Sequence, residues 1–223
     1  MKKIDLLRNT FTNKDLFDQA LTHRSWVNEH KGVRESNERM EFLGDAILEY
    51  VVSKEIYDNF PDKEEGYLTA LRANLVNTHA LAEIANRLKL GHALFLSKGE
   101  EDGGGRKNSS LLADTIEAVI GAIFFDRGIG AAEEFIQENI LIDTKEKASK
   151  PLKDFKSRLQ ETVQAKGFSA PKYHVVEESG PDHNKKFIIE VLVNGVSWGK
   201  GEGKSKSSAE QEAARQVLTK KVQ

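Results

Sequence analysis

Apolar residues recur along this chain at two different periods. Through residues 1–143 they fall at three- and four-residue intervals. That spacing predicts helices over Asn13–Leu21, Glu38–Asn59, Glu64–Val76, Asn77–Leu88, Ser110–Phe125 and Gly130–Ile140, and no stretch there alternates as a strand would. Pro61 stops the long second helix, and Asn77-Thr78 is a helix-start signal. Residues 144–151 are polar, without apolar periodicity, and end in proline, as a linker does. Beyond them Leu152–Lys166 reads as an amphipathic helix closed by Gly167. Strand-like runs follow at Lys172–Glu178, Lys185–Val193 and Val196–Gly201, with Phe187, Ile189, Val191 and Val193 on one face. Asn194-Gly195 is a two-residue hairpin signal, and Ser207–Lys221 closes the chain as a helix. The expected fold is an all-α domain over 1–143, a linker, and an α+β domain of order α-β-β-β-α over 152–223.

Two of the predicted helices break the usual rule for charge. The segment Leu111–Phe125 is apolar or small on every side except at Asp114, Thr115 and Glu117, and a helix apolar all round is normally buried. Ionised carboxylates are tolerated in a core only when paired, hydrogen-bonded or metal-bound, yet that helix carries no Lys, Arg or His beside them. Glu41 and Asp45 likewise stack one turn apart on a stripe that continues as Leu48 and Val52. Acids at a helix start, or on a solvated face, are the ordinary explanation for one such pair. Two pairs in apolar surroundings point instead to a shared divalent cation.

Composition narrows the field. The chain has 223 residues, 39% hydrophobic and 30% charged, with a net charge of −2, as an ordinary globular protein has. No apolar run is long enough to span a bilayer, and Met1–Leu6 lacks the apolar stretch of a secretory signal. Cysteine is absent, which excludes disulfides and thiolate zinc sites and fits a cytoplasmic location. Charge is unevenly divided: 20 basic against 26 acidic residues over 1–150, and 13 against 9 over 151–223. An acidic body with a basic tail fits metal chemistry in one part and polyanion binding in the other.

Four motifs in order carry a resemblance. Asn37-Glu38-Arg39-Met40-Glu41-Phe42-Leu43-Gly44-Asp45 resembles the nine-residue signature of ribonuclease III, with Met40 where Leu is common. Leu21–Ser25 resembles that family's N-terminal motif, and Lys98–Glu101 through the glycine loop to Leu112–Ala118 resembles its second carboxylate segment. The tail resembles a double-stranded RNA-binding domain. The resemblance implies a homodimeric endonuclease cutting double-stranded RNA with Mg²⁺, for which Mn²⁺ substitutes. It implies 5′ phosphate and 3′ hydroxyl ends, short 3′ overhangs, and the processing of ribosomal, messenger and other RNA precursors.

By the same resemblance Glu41, Asp45, Asp114 and Glu117 form the metal-binding catalytic cluster. Of these we expect loss of Asp45 or Glu117 to stop the chemistry, with Glu41 and Asp114 mainly ligands and orienters. Glu38 and Glu65 match accessory acidic positions, and Phe42 matches an aromatic that plugs the partner subunit. In the tail Gln160, Glu161, Gln164 and His183 are expected to meet the minor groove, and Lys204 and Lys206 the phosphates. Ser207 and Ser208 replace part of the family's Lys-rich run. His23 reads as a structural hydrogen-bonder, because an oxygen-ligated Mg²⁺ has no need of it. Arg106, Lys107 and Asn108 are equally consistent with a backbone contact or a plain surface loop.

Other classes remain in view. A di-iron bundle lacks its Glu-x-x-His pairs here. A module that holds duplex RNA without cutting it, or a helical domain that only dimerises, predicts no strand scission with any divalent ion.

Overall fold

The computed structural model describes residues 3–142, 144–149, 155–181 and 185–221. It divides into two compact units, residues 1–152 and 153–223.

The first unit is helical. Its elements are α1 (Lys3–Asn9), α2 (Lys14–Ala20), α3 (Arg24–Glu29), α4 (Glu38–Asn59), α5 (Glu65–Val76), α6 (Thr78–Leu88), α7 (Lys98–Asp102), α8 (Ser109–Arg127), α9 (Ile129–Asn139) and α10 (Thr144–Ser149). The apolar helix α8 runs through the middle, packed by α4, α6, α9 and α2. Its Leu112, Ile116, Val119, Ile120 and Ile123 are sealed from solvent. Side-chain caps set the helix starts: Asn108 accepts from the N–H groups of Ser110 and Leu111, Asn77 from Ala80 and Asn13 from Asp15. Asn37 precedes α4 without capping it. Instead its N–H donates to Thr22 O at 2.9 Å and its Nδ2 to Ala20 O at 3.2 Å, which ties the start of α4 to the corner between α2 and α3.

The helices α1, α3 and α7 were not expected; each has seven residues or fewer, too short to display a period. The segment read as linker begins as helix α10, whose Ala148 carbonyl accepts from Tyr67 Oη at 3.1 Å, while residues 150–151 lie outside the described residues.

The second unit has the expected α-β-β-β-α order: α11 (Phe155–Ala165), β1 (Lys172–Ser179), β2 (Lys186–Val193), β3 (Val196–Gly203) and α12 (Lys206–Lys221). The sheet is antiparallel in the order β1-β2-β3. Asn194 and Gly195 both have positive φ, the requirement of the tight turn that joins β2 to β3. On the covered face Val191 and Val193 pack against Leu159 and Val163 of α11 and Ala213, Ala214 and Val217 of α12. Phe187 and Ile189 pack with Ala209. A Cβ on Gly201 would lie 2.0 Å from the Ala213 nitrogen, so α12 rests on β3 at backbone distance.

Candidate active site

The close crossing of α4 and α8 builds the site. A Cβ on Gly44 would stand 1.7 Å from the Glu117 carbonyl oxygen, and one on Gly121 would stand 2.2 Å from the Met40 carbonyl oxygen. Two glycines, one on each helix, thus let the backbones touch where any side chain would hold them apart. Glu41 lies one turn before Gly44, and Glu117 one turn before Gly121. The crossing brings together carboxylate oxygens of Glu41, Asp114 and Glu117, all within 4.8 Å of one another. Sequence alone does not mark either glycine as a crossing point, since within a helix glycine registers only as a weak helix former.

Electrostatics sets this cluster apart from a surface patch. Glu117 is pushed up to about 8, first by burial and then by the charges of Asp45, Asp114, Glu41 and Glu49. Burial also raises Glu41, helped by Asp114, Glu38 and Asp45. Asp114 is raised by burial as well, against a downward pull from His23 and from its own backbone N–H. Like charges this close, partly removed from water, disfavour full ionisation unless a cation joins them. The donor set fits one: three carboxylate oxygens with room for further ligands suit a hard divalent ion such as Mg²⁺.

Asp45 takes a different position from its three companions. The stripe is closed over at Leu48 and Val52 but open at Asp45, which is exposed and stands outside the 4.8 Å group. Its charge still acts on Glu117 more strongly than any other carboxylate does. The picture of both pairs sunk in apolar surroundings holds for Asp114 and Glu117 and not for Asp45.

Beside the cluster opens a pocket of about 160 Å³, bordered by His23, Arg24, Asn37, Glu38, Glu41 and Asp114. Glu38 sits at its rim, bound by Arg24 Nη1 at 3.1 Å and by the Ser36 hydroxyl at 2.9 Å. Glu65 is elsewhere. It begins α5, which runs antiparallel to α4 with Arg72 on Glu49 at 2.8 Å and on Ser53 at 2.9 Å. At 1.5 Å per residue that register puts Glu65 ~20 Å or more from Glu41 within one chain. Phe42 is 79% exposed on α4 and lines, with Leu16, Met40, Leu43 and Phe125, an open groove of about 640 Å³.

Arg106 is a structural latch. Its Nη1 reaches the carbonyls of Gly91, His92 and Leu94 at 3.2, 3.2 and 2.9 Å, and its Nε holds Glu101 at 2.7 Å. Asn108 is occupied as the cap of α8.

In the second unit Gln160, Glu161 and Gln164 are exposed on α11, on the side away from the buried Leu159 and Val163. Lys204 and Lys206 are exposed where β3 passes into α12, with Lys206 Nζ 5.8 Å from the Phe187 ring centre. Ser205 and Ser208 cap that helix reciprocally: Ser208 N–H donates to Ser205 Oγ at 3.1 Å and Ser205 N–H to Ser208 Oγ at 3.0 Å. Ser208, read from sequence only as a missing lysine, is therefore a cap residue. His183 lies outside the described residues.

Comparison with known proteins agrees with this geometry. Residues 13–144 match a family model described as ribonuclease-III-like, and residues 155–221 match the double-stranded RNA binding motif. The chain is 47% identical over 220 residues to a Geobacillus sp. (strain WCH70) protein named ribonuclease 3, covering 98% of this chain and 88% of that one. It is 46% identical over 212 residues to the ribonuclease 3 of Bacillus cereus (strain G9842), covering 95% and 86%. Among solved structures it is similar to the nuclease domain of ribonuclease III from Campylobacter jejuni, with a TM-score of 0.57 and 40% identity over 64% of this chain and 97% of that one.

Proposed function

The chain belongs to the ribonuclease III family, and from that membership together with the carboxylate cluster we propose that it is an endonuclease that hydrolyses double-stranded RNA with a divalent metal ion. The observation that carries the reading is the convergence of Glu41, Asp114 and Glu117, raised in pKa by burial and by neighbouring acids.

The chemistry explains why acids collect here. A phosphodiester is anionic and repels both its nucleophile and the carboxylates around it. A divalent ion held by this cluster would supply charge neutralisation of the phosphate, a more acidic water and stabilisation of the leaving oxygen. Mg²⁺ is the ion that fits, with Mn²⁺ as substitute, because all the donors are oxygen. Glu41, Asp114 and Glu117, which converge, would hold such an ion, and the exposed Asp45 would complete its ligands. Asp45 and Glu117 are the residues whose loss abolishes cutting. Glu38 supports the rim.

The second unit supplies the grip. A-form duplexes are read by shape, through 2′-hydroxyls in the shallow minor groove and phosphates across the major groove. Gln160, Glu161 and Gln164 face the minor groove, and Lys204 and Lys206 the phosphates. Residues 144–151 join the two activities.

The active form is a homodimer with Phe42 seated in the partner subunit. The exposed ring and its apolar groove support this, as does a Campylobacter jejuni ribonuclease III nuclease-domain structure, 40% identical, described as flexible in a region involved in dimer formation. Glu65, distant from the cluster of its own chain, is then available to the other subunit. No helix among the described residues is long and apolar enough to cross a membrane. The family membership supports action on ribosomal and other RNA precursors in the cytoplasm.

Incubating the protein with a defined RNA duplex and mapping the product ends tests this. Scission of both strands only with a divalent ion, leaving 5′ phosphates and short 3′ overhangs, is expected. Binding without scission under Mg²⁺ or Mn²⁺ would reduce the protein to an RNA-holding module.

A further inference from the structure

The corner between α2 and α3 holds a histidine whose Nδ1 is turned to the backbone and hydroxyl of Ser25. Two donors converge on His23 Nδ1: the Ser25 N–H at 3.3 Å and the Ser25 hydroxyl at 2.8 Å. The hydroxyl has its proton to give, because Ser25 Oγ itself accepts from Ser97 N–H at 3.0 Å. A nitrogen that receives N–H and O–H donors must present its lone pair, so the ring proton sits on Nε2. The backbone anchors the ring further, with His23 N–H on Phe95 O at 3.1 Å. Among the described residues Nε2 is given no protein acceptor, and the ring borders the same pocket as Asp114 and Glu41.

The residue type is informative too. A cap on α3 would be served at least as well by Ser, Asp or Asn, which lead the ranking at that position. Histidine adds a second nitrogen, on the far side of a flat ring, that reaches where those shorter side chains do not.

We infer that His23 is a positioning residue of the carboxylate site: its Nε2–H donates across the pocket, directly or through one ordered water, and orients Asp114 toward the cation. This rests on the metal reading above. The pocket of about 160 Å³ has room for such a water, whose share of liquid volume is ~30 Å³. Partners that orient a metal-binding group commonly change metal affinity ten- to a hundredfold when removed. The relay also couples the segment before α7, through Ser97 and Ser25, to the site.

Two substitutions separate this role from capping. His23→Asn keeps an acceptor for the Ser25 N–H and deletes the donor at the Nε2 position. His23→Gln places an amide donor near Nε2 and gives up the cap. The readouts are Mn²⁺ affinity of the RNA-free full chain by calorimetry, and Tm without metal. His23→Asn is expected to melt with the wild type yet bind Mn²⁺ about tenfold more weakly, and to need correspondingly more metal for cutting. His23→Gln is expected to melt lower while keeping most of the affinity. Wild-type affinity in His23→Asn, or affinity losses that simply follow Tm in both variants, would overturn the inference. If the wild type itself binds no Mn²⁺, the carboxylate-site reading falls and takes this one with it.

Discussion

Gly44 and Glu117 meet backbone to backbone: a methyl group added to Gly44 would lie 1.7 Å from the carbonyl oxygen of Glu117. This contact decides how close Glu41 comes to Asp114 and Glu117, and hence whether the three can share one ion. Gly44→Ala should therefore damage both packing and chemistry. Overpacking of this kind costs about 1–3 kcal/mol, and here the obstacle is rigid backbone. A Tm lowered by several degrees, with cleavage lost even at high metal concentration, is the expected result of melting curves and duplex assays. Gly121→Ala, directed at Met40, should act in the same direction.

The carboxyl of Glu117 gives stability a pH dependence of defined sign. Its pKa is about 8 in the folded chain against an ordinary 4.5, so between those values the folded state holds a proton that the unfolded state has released. Metal-free stability from this group is therefore full below 4.5 and is lost as pH rises toward 8. Melting curves in chelator should show Tm falling across that window, and Glu117→Gln should flatten the fall. Some slope should persist, because Glu41 and Asp114 are shifted the same way.

Metal binding should release protons. An ion entering the cluster favours the ionised carboxylates, so part of the Glu117 proton population is expelled near neutral pH. Titration calorimetry with Mn²⁺ in buffers of different ionisation enthalpy is expected to give heats that vary with the buffer at pH 7. The dependence should largely vanish in Glu117→Gln.

How much of this was legible beforehand follows from the physics of each feature. Asp114 and Glu117 stood out because charge in a uniformly apolar helix is costly, and cost leaves a mark in sequence. The hairpin at Asn194-Gly195 was legible because its turn demands positive φ. Gly44 and Gly121 were not, since a glycine needed for contact between two helices looks the same as one that merely weakens a single helix. The exposure of Asp45 was hidden for a related reason: periodicity gives the direction of a side chain but not how far a neighbouring element extends over it. The Arg106 latch and the His23 relay join segments up to 72 residues apart, a pairing that no local pattern encodes.

Lys204 and Lys206 should reveal themselves through salt. A side chain that neutralises one phosphate lowers the slope of log affinity against log salt by about one unit when removed. Lys204→Ala with Lys206→Ala is expected to weaken duplex binding, flatten that slope and leave the Tm within a degree or two. An unchanged slope would place the phosphate contacts elsewhere on the unit.

The most direct test sets binding against cutting in one variant. Glu117→Gln removes a charge from the cluster while keeping its size, and leaves residues 155–221 untouched. On a defined RNA duplex in Mg²⁺, it is expected to retain wild-type affinity and to leave both strands intact while the wild type cuts them. Scission by Glu117→Gln at the wild-type rate would contradict the carboxylate site as the seat of the reaction.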